Sequence, residues 1–337
     1  SVKNVLFAVI TCSILWLLPM SLTATDPYKL PSVRNLKLNG LMTYDNHKDG
    51  NIFGLYSYSV NNPSERKLLT LMPFVAPNGG AVYRNGKFYM FQSNVEYGYV
   101  MSASYSTYDA TTGSLLKTKN MSKEDAHTVY MNTATTAAVN PTTGDVCSYS
   151  YHAATKSLSY VLSKWDLEGM SKDSIASLER GMRVMAVAAD GTLYGITMRV
   201  QNGEEKGGML VKINTQTGEL TSVGKTGVDL DYFQSAVIDK NTGVFYWFGV
   251  DTKQQTKLYT VDLTTGKATS IGELPGADQV LAAYVPAPAA VDGAPSSASN
   301  LMARFTDGSL EGVVSFDTPS ETYDGKELIG DLSYEIV

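Results

Sequence analysis

The sequence is poor in residues that bind metals, form disulfides or attract nucleic acids. Its 337 residues include two cysteines and three histidines, and the net charge of −6 opposes binding to a polyanion. His47, His127 and His152 do not have the paired spacing of a zinc-binding motif. A G-x-S-x-G elbow and a phosphate-binding P-loop are also absent from the sequence. We therefore expect no nucleic-acid partner, no metal and no other cofactor.

One long apolar run occurs, close to the first residue. Lys3 precedes an apolar stretch over 5–18, Pro19 ends it, and Ala24 offers a small residue for cleavage. This order is typical of a signal peptide, predicted here over 1–24. A membrane anchor is the alternative, but a spanning helix needs about 20 apolar residues and this run is shorter. We expect an exported protein, secreted or held at the cell surface, without membrane insertion after cleavage.

Removal of residues 1–24 would take away Cys12 and leave Cys147 as the only cysteine. An exported domain without disulfides depends on its core for stability, which favours a large fold over a small cross-linked one. Cys147 alternates with polar residues in DVCSYSY, so we interpret it as a small buried hydrophobic residue.

Tyrosine and glycine are abundant, and short segments repeat along the chain. There are 21 tyrosines and 29 glycines, and apolar and polar residues alternate with period 2, which favours strands and tight turns. Each unit has a strand of small residues, an aromatic strand, a third strand ending in an Asp/Asn–x–x–x–Gly turn, and a short fourth strand. The last two are clearest in LVKINTQTGELTSVG (210–224) and LYTVDLTTGKATSIG (258–272). Four antiparallel strands, repeated about every 45–55 residues, are typical of β-propeller blades.

The number of units predicts an all-β fold with a β-propeller over 35–287. Four units are complete, and a fifth, in residues 39–72, lacks its first strand. The segment QVLAAYVPA (279–287) has the small-residue pattern of a first strand and follows the last complete unit. Pairing with the incomplete unit would close the ring and remove its free sheet edges. Five four-stranded antiparallel blades are expected, or six if the long region 121–183 contains a degenerate unit.

After the propeller, the composition changes to a linker rich in Pro, Ala and Ser over 288–299. The segment 300–337 reads as a strand, a turn, the strand LEGVVSFDTP, a loop and the strand LSYEIV. It resembles the opening three strands of a fibronectin type III module, although Phe316 stands where a Trp is usual. The resemblance implies the N-terminal part of an immunoglobulin-like β-sandwich, truncated at residue 337. The whole layout resembles secreted bacterial multidomain proteins that combine a propeller with fibronectin-like modules.

The loops form two sets that should lie on opposite faces of the propeller. Connections between the first and second strands, and between the third and fourth, are short, as in NPTTG, DKNTG and DLTTG. Such residues form turns because Asx side chains bond local backbone and Gly adopts positive φ. A calcium site is the alternative, but Ca²⁺ takes about 6–8 oxygens and the D-x-D-x-D-G array is absent. We therefore interpret this set as structural turns.

The other set, which joins second to third strands and links the blades, is long and variable. Variable loops on a rigid scaffold often carry binding, and aromatic rings there can stack on sugars or hold a peptide. The candidate ligand-binding residues are Tyr97, Tyr99, His127, Tyr130 and Tyr232. The alternative for each tyrosine is a space-filling role between blades. The predicted function is a monomeric, non-catalytic binding or scaffold module for an extracellular glycan or protein.

A carbohydrate-active enzyme is the alternative function. A glycosidase needs carboxylates that project into the central funnel. The candidates are acidic residues of the long loops, namely Glu96, Asp125, Asp229 and Asp231. The predicted innermost strands, such as GGAVY and QSAVI, carry no carboxylate, which favours the binding module, so no catalytic residue is assigned. A spacer without a ligand is a third interpretation.

Overall fold

The structure is a computed structural model. It describes residues 4–8, 36–44, 53–72, 80–96, 99–121, 134–154, 157–198, 208–275, 278–286, 295, 299–305, 307 and 312–321. The chain consists of two compact units, one formed by 31–286 and the other by 1–30 together with 287–337. Within the described ranges the regular elements are all strands. None of these residues belongs to a helix of the length and apolar character needed to cross a membrane.

Numbered along the chain, the strands are β1 (Asn4–Ala8), β2 (Lys37–Tyr44), β3 (Gly54–Ser59), β4 (Asn62–Leu71), β5 (Ala81–Arg84), β6 (Lys87–Glu96), β7 (Tyr99–Asp109), β8 (Leu115–Asn120), β9 (Ala134–Val139), β10 (Val146–Ala154), β11 (Ser157–Asp166), β12 (Ser171–Leu178), β13 (Met182–Val187), β14 (Leu193–Thr197), β15 (Met209–Ile213), β16 (Leu220–Lys225), β17 (Ser235–Ile238), β18 (Phe245–Val250), β19 (Thr256–Val261), β20 (Ala268–Glu273), β21 (Gln279–Tyr284), β22 (Ser299–Phe305) and β23 (Gly312–Asp317).

Among the described residues of the 31–286 unit, five four-stranded antiparallel sheets form the blades. In strand order from the inside, blade 1 is β21-β2-β3-β4, blade 2 is β5 to β8, blade 3 is β9 to β12, blade 4 is β13 to β16 and blade 5 is β17 to β20. The innermost strands contact one another in the ring order β21, β5, β9, β13, β17 and back to β21. The fold is therefore a five-bladed β-propeller, as predicted. The six-blade alternative is wrong, because the described strands of 121–183 build the single blade 3.

Blade 1 closes the ring with a strand from the far end of the unit. As predicted, β21 supplies the missing first strand and pairs antiparallel with β2, with Leu281 opposite Leu41 and Val280 opposite Met42. A buried ionic group lies beside this closure: the guanidinium of Arg66 on β4 donates to Asp278 Oδ2, and the Tyr58 hydroxyl donates to the same oxygen at 3.3 Å. The closure is thus held by apolar packing and by charge.

The apolar core lies between neighbouring blades. Phe245 and Trp247 on the second strand of blade 5 share a buried cluster with Tyr194 and Ile196 on the second strand of blade 4. The aromatic second strands of the repeat therefore fill the wedge-shaped gaps between sheets. Cys147 packs against the cluster between blades 3 and 4, as expected of a small hydrophobic residue, but it is half-buried and not fully buried as predicted.

The repeated Asx residues make turns with their own backbone. Asp262 Oδ1 accepts hydrogen bonds from the amides of Thr264 at 2.7 Å and Thr265 at 3.1 Å. Asn214 Oδ1 accepts the corresponding bonds in blade 4 from Gln216 at 2.9 Å and Thr217 at 3.1 Å. The interpretation of these motifs as structural turns is confirmed.

The glycine that ends each of these turns contacts the preceding blade. Gly266 has a φ of +78° and lies against the backbone of Gly224 on β16, where a Cβ would overlap the carbonyl oxygen. Gly218, with a φ of +74°, lies in the same way against the carbonyl oxygen of Ser177 on β12. The motif repeats because it shapes a turn and lets two blades approach closely.

Blade 3 departs from this pattern. Its turn begins at Asp166 and reaches Gly169 one residue earlier than the Asp/Asn–x–x–x–Gly motif requires, and Met170 takes the left-handed conformation with a φ of 54°. The amide of Gly169 donates to Asp166 Oδ1 at 2.9 Å. The expectation of a glycine at the end of every such turn is therefore wrong here, because the left-handed position is again the fourth residue after the Asx but Met170 occupies it.

The second unit contains a three-stranded antiparallel sheet in the order β1-β23-β22. Asn4–Ala8 pairs with β23, so that Leu6 lies opposite Val314. Met302 and Phe305 on β22 are 49% and 70% exposed. The predicted strand LSYEIV lies outside the described residues. The signal peptide and the fibronectin-like module both stay predictions.

Candidate binding site at the mouth of the propeller channel

The antiparallel strand order places the two sets of loops on opposite faces, as the sequence predicts. We call the face with the second-to-third connections and the links between blades the long-loop face, and the other the short-turn face. The described parts of the long-loop face include 179–181, 226–234 and 251–255. Each innermost strand begins at this face, so its first residues surround the mouth of the central channel.

Of the predicted ligand-binding residues, Tyr232 lies in the described part of this face. It belongs to the link 226–234 between blades 4 and 5. Tyr99 is the first residue of β7, where its backbone pairs with that of Glu96. The structure describes the backbone of these two residues and not their side chains. Tyr97, His127, Tyr130 and the alternative catalytic residue Asp125 lie outside the described residues.

Arg183 is brought to the channel mouth by a break in strand pairing. It is the second residue of β13, and Met182 pairs with Thr197 while Val184 pairs with Ile196, so Arg183 is an extra, bulged residue. A β-bulge redirects a side chain that regular alternation would point elsewhere. Burial lowers the pKa of the guanidinium, and the nearby carboxylate of Asp231 counteracts this effect.

Arg183 holds the link between blades 4 and 5. Its Nη2 donates to Asp231 Oδ1 at 3.1 Å, and its Nη1 donates to the carbonyl oxygen of Tyr232 at 3.2 Å. Asp231 Oδ1 also accepts the amide of Tyr232 at 2.8 Å. One carboxylate oxygen and one arginine therefore fix the backbone of the predicted binding residue.

Tyr232 is held in an unusual conformation. Its φ is 61°, in the left-handed region that residues other than glycine rarely adopt. Its hydroxyl accepts a hydrogen bond at 2.9 Å from Nε2 of Gln254, which itself has a φ of 61°. Left-handed residues of this kind persist where surrounding contacts impose them, often at functional sites. We call Arg183, Asp231, Tyr232 and Gln254 the mouth cluster.

Two buried glutamines support the mouth cluster from the core side. Gln234, which is 2% exposed, donates to the carbonyl oxygen of Asp231 and accepts a 2.8 Å hydrogen bond from the indole of Trp247. Gln279 Oε1, at the start of β21, accepts the amide of Phe233 at 3.2 Å. Blades 1, 4 and 5 thus all hold the link 226–234, which makes it a rigid platform.

Asp229 and Asp231, two of the alternative catalytic carboxylates, lie in this same link. Asp231 is committed to Arg183, whereas Asp229 Oδ1 is buried and has no hydrogen-bond partner. A buried carboxylate oxygen without a donor is uncommon in folded proteins. In the described part of the chain, no group of three or more His, Cys, Asp or Glu side chains could hold a metal ion.

A cavity of about 270 Å³ lies on the short-turn face at blade 3. Its lining carries both signs of charge, including an ion pair of 3.0 Å between Lys164 and Asp145. The Tyr89 hydroxyl donates to Glu168 Oε1 at 2.6 Å, and burial raises the pKa of Tyr89 to about 12. The lining residues are Arg84, Gly144, Asp145, Val146, Lys164, Trp165, Asp166, Leu167, Glu168 and Asp173.

Sequence reasoning missed Arg183 and Gln254. One signal was available for Arg183, since it is a charged residue at the start of a strand otherwise made of apolar residues, MRVMAV. Gln254 carries no such signal, because its role depends on a hydrogen bond to a residue 22 positions earlier.

The strand order, the ring closure and the mouth cluster define a five-bladed β-propeller with a polar platform at one end of its channel. A family described as a domain of unknown function, DUF4394, matches residues 204–282, which contain three of the four mouth-cluster residues. No curated protein matches the chain.

Two solved structures are similar to this chain at low identity. TolB from Acinetobacter baumannii has a TM-score of 0.40 and 11% identity over 86% of this chain, and this chain spans 65% of the TolB chain. A putative 6-phosphogluconolactonase from Bacteroides fragilis NCTC 9343 has a TM-score of 0.36 and 12% identity. The match covers 72% of this chain and 82% of the lactonase chain. Neither likeness assigns a function.

Proposed function

We propose that this protein is an exported, non-catalytic binding module that recognises an extracellular glycan or protein through the long-loop face. The observation that carries the proposal is the mouth cluster. It holds an aromatic residue, Tyr232, in a left-handed conformation by contacts from neighbouring elements. A site whose residues are fixed before the ligand arrives loses less conformational entropy on binding.

The opposite face supports the same choice of surface. The Asx oxygens of its turns accept hydrogen bonds from their own backbone amides, as at Asn214 and Asp262. Its turn glycines pack against neighbouring blades. Those polar groups serve the architecture, whereas the mouth cluster keeps a carboxylate oxygen, Asp231 Oδ2, that has no partner among the described residues.

Export and display are part of the proposal and rest on the sequence. The predicted signal peptide over 1–24 would direct the chain out of the cytoplasm. The fibronectin-like segment 300–337 would then belong to a spacer module that follows the propeller. Tyr97, Tyr99, His127 and Tyr130 would extend the binding surface around Tyr232.

A full-length chain applied to glycan and extracellular-protein arrays tests the proposal. Replacement of Tyr97, Tyr99 and Tyr232 together by Ala should abolish the binding found and leave the melting temperature nearly unchanged. The matched control is a triple Ala variant of three exposed threonines of the short-turn face, namely Thr111, Thr215 and Thr264. Equal binding by both variants, or a lack of binding by the unmodified chain, would refute the proposal.

One observation favours a second candidate, a glycosidase that acts at the same mouth. Asp229 Oδ1 is buried without a partner, as a group awaiting a substrate proton or hydroxyl would be. Hydrolysis of chromogenic glycosides by the full chain, lost on Asp229→Asn and retained in Asp145→Asn, would establish this alternative. Asp145 is the control because its carboxylate lies on the short-turn face.

A further inference from the structure

The hydrogen-bond groups of the mouth cluster are only partly used within the chain. Asp231 uses Oδ1 for Arg183 and for the amide of Tyr232, while Oδ2 has no partner among the described residues. The Asp231 side chain is 49% exposed, so this oxygen is accessible. The Tyr232 hydroxyl accepts from Gln254 and keeps its own hydrogen for donation, and Gln254 Oε1 is left as an acceptor.

Apart from Arg183, whose side chain is 19% exposed, the cluster therefore offers two acceptors and one donor in one place. A sugar hydroxyl can donate and accept at once, so neighbouring hydroxyls of one ring satisfy this mixed set. An ammonium or guanidinium group only donates and would leave the tyrosine hydrogen unused. A carboxylate or phosphate only accepts and would face the free oxygen of Asp231.

Charge leads to the same ligand class. The positive charge of Arg183 is matched by Asp231 at 3.1 Å, and its Nη1 is occupied by the carbonyl oxygen of Tyr232. Arg183 and Asp231 thus neutralise each other. The carboxylates of Asp229 and Asp251 in the adjoining segments disfavour an acidic ligand, while a basic ligand is disfavoured by the tyrosine hydrogen that it would leave unused. The tyrosine ring adds an apolar surface on which a sugar face can stack.

Resting on the proposed function, we infer that the mouth cluster selects an uncharged, polyhydroxylated ligand, that is, a neutral glycan, over acidic glycans and over proteins. Asp231 Oδ2 and Gln254 Oε1 accept hydrogen bonds from the sugar, and the Tyr232 hydroxyl donates one. Asp231, Tyr232 and Gln254 are thus the residues that determine specificity.

The test uses the full chain and panels of neutral, uronate-containing and amino-sugar oligosaccharides, together with extracellular proteins. Neutral glycans should bind, and calorimetry should give affinities that change less than about twofold between about 0.05 and 0.5 M salt, since no charged pair forms. Tyr232→Phe, which removes one hydroxyl, should weaken binding about 3- to 10-fold. Tyr89→Phe, which removes a hydroxyl on the short-turn face, should not change the affinity.

The possible failures are distinguishable. Preferential binding of acidic or basic sugars with a steep salt dependence, or binding of a protein alone, would overturn this inference and leave the proposed function intact. Neutral-glycan binding that Tyr232→Phe does not weaken would also overturn it, provided that the variant melts like the unmodified chain. Binding of no array component would refute both.

Discussion

Gly266, in the third turn of blade 5, lies directly against the backbone of Gly224 on the outermost strand of blade 4. The carbonyl oxygen of Gly224 occupies the position that a Cβ of residue 266 would take. Two chain segments 42 positions apart can meet there because neither carries a side chain.

Replacement of Gly266 by Ala should therefore destabilise the propeller for two separate reasons. The φ of +78° disfavours any side chain, and the new methyl group would push the two blades apart. We expect a loss of about 2–4 kcal/mol in the free energy of unfolding, measured by urea denaturation.

The matched control is Gly243→Ala. Gly243 has a φ of +70°, but nothing lies within 4 Å of a Cβ built there. This variant should show only the conformational cost, about 1 kcal/mol. Equal losses in the two variants would mean that blade contact has no part in the requirement for glycine at 266.

The closure beside β21 predicts a large effect of one charge. Asp278→Asn would leave the guanidinium of Arg66 without its anionic partner in a site where Asp278 is fully buried. Breaking a buried pair from one side costs about 3–5 kcal/mol. Thermal unfolding should show a strong decrease in melting temperature.

The control Asp145→Asn, in an exposed pair with Lys164, should change stability by less than about 1 kcal/mol. A similarly small effect at Asp278 would contradict a role of the Arg66–Asp278 pair in holding the ring closed.

Lys172 predicts a pH dependence of stability. Its amine donates to Ser150 at 2.6 Å, and burial lowers its pKa to about 7 from 10.5. Between these values the unfolded chain binds a proton that the folded chain does not, so this group makes folding more favourable as pH rises from about 7 to about 10. Denaturation of Lys172→Met over this range should give a flatter profile, with the difference in slope at most about 1.4 kcal/mol per pH unit. Parallel profiles would show that Lys172 keeps an ordinary pKa.

The left-handed residues of the mouth cluster predict a trade-off between stability and binding. Gln254→Gly relieves a φ of 61° but removes the donor to the Tyr232 hydroxyl. The free energy of unfolding should stay constant or rise by up to about 1 kcal/mol, while ligand affinity falls. Urea denaturation and calorimetry on the same sample measure both quantities. A marked loss of stability would show that the conformation of Gln254 is not strained.

The sequence could predict the ring because each blade repeats local signals. Small residues mark β21, so its pairing with β2 could be expected although 235 positions separate their first paired residues, Tyr44 and Gln279. Asp262 forms its turn by hydrogen bonds to residues no more than five positions away, and interactions this close in the chain can be predicted from the sequence.

The mouth cluster was only partly predictable because it arises where blades meet. The position of Tyr232 on the long-loop face followed from the loop pattern, but its conformation depends on Arg183, 49 positions earlier, and on the bulge that directs that arginine. The displaced glycine after Asp166 was readable, yet the sequence alone does not show that Met170 keeps the left-handed conformation at the position where the other blades have glycine.

The pairing of β2 with β21 has a mechanical consequence. Asn39 lies opposite Tyr284, and its amide donates to the tyrosine hydroxyl at 3.2 Å, so the chain enters and leaves the propeller at the same end of one strand pair. A pulling force applied through the start of β2 and the end of β21 would load this strand pair first and break its hydrogen bonds one after another. Blades 2 to 5 would carry tension only after β21 had been peeled away.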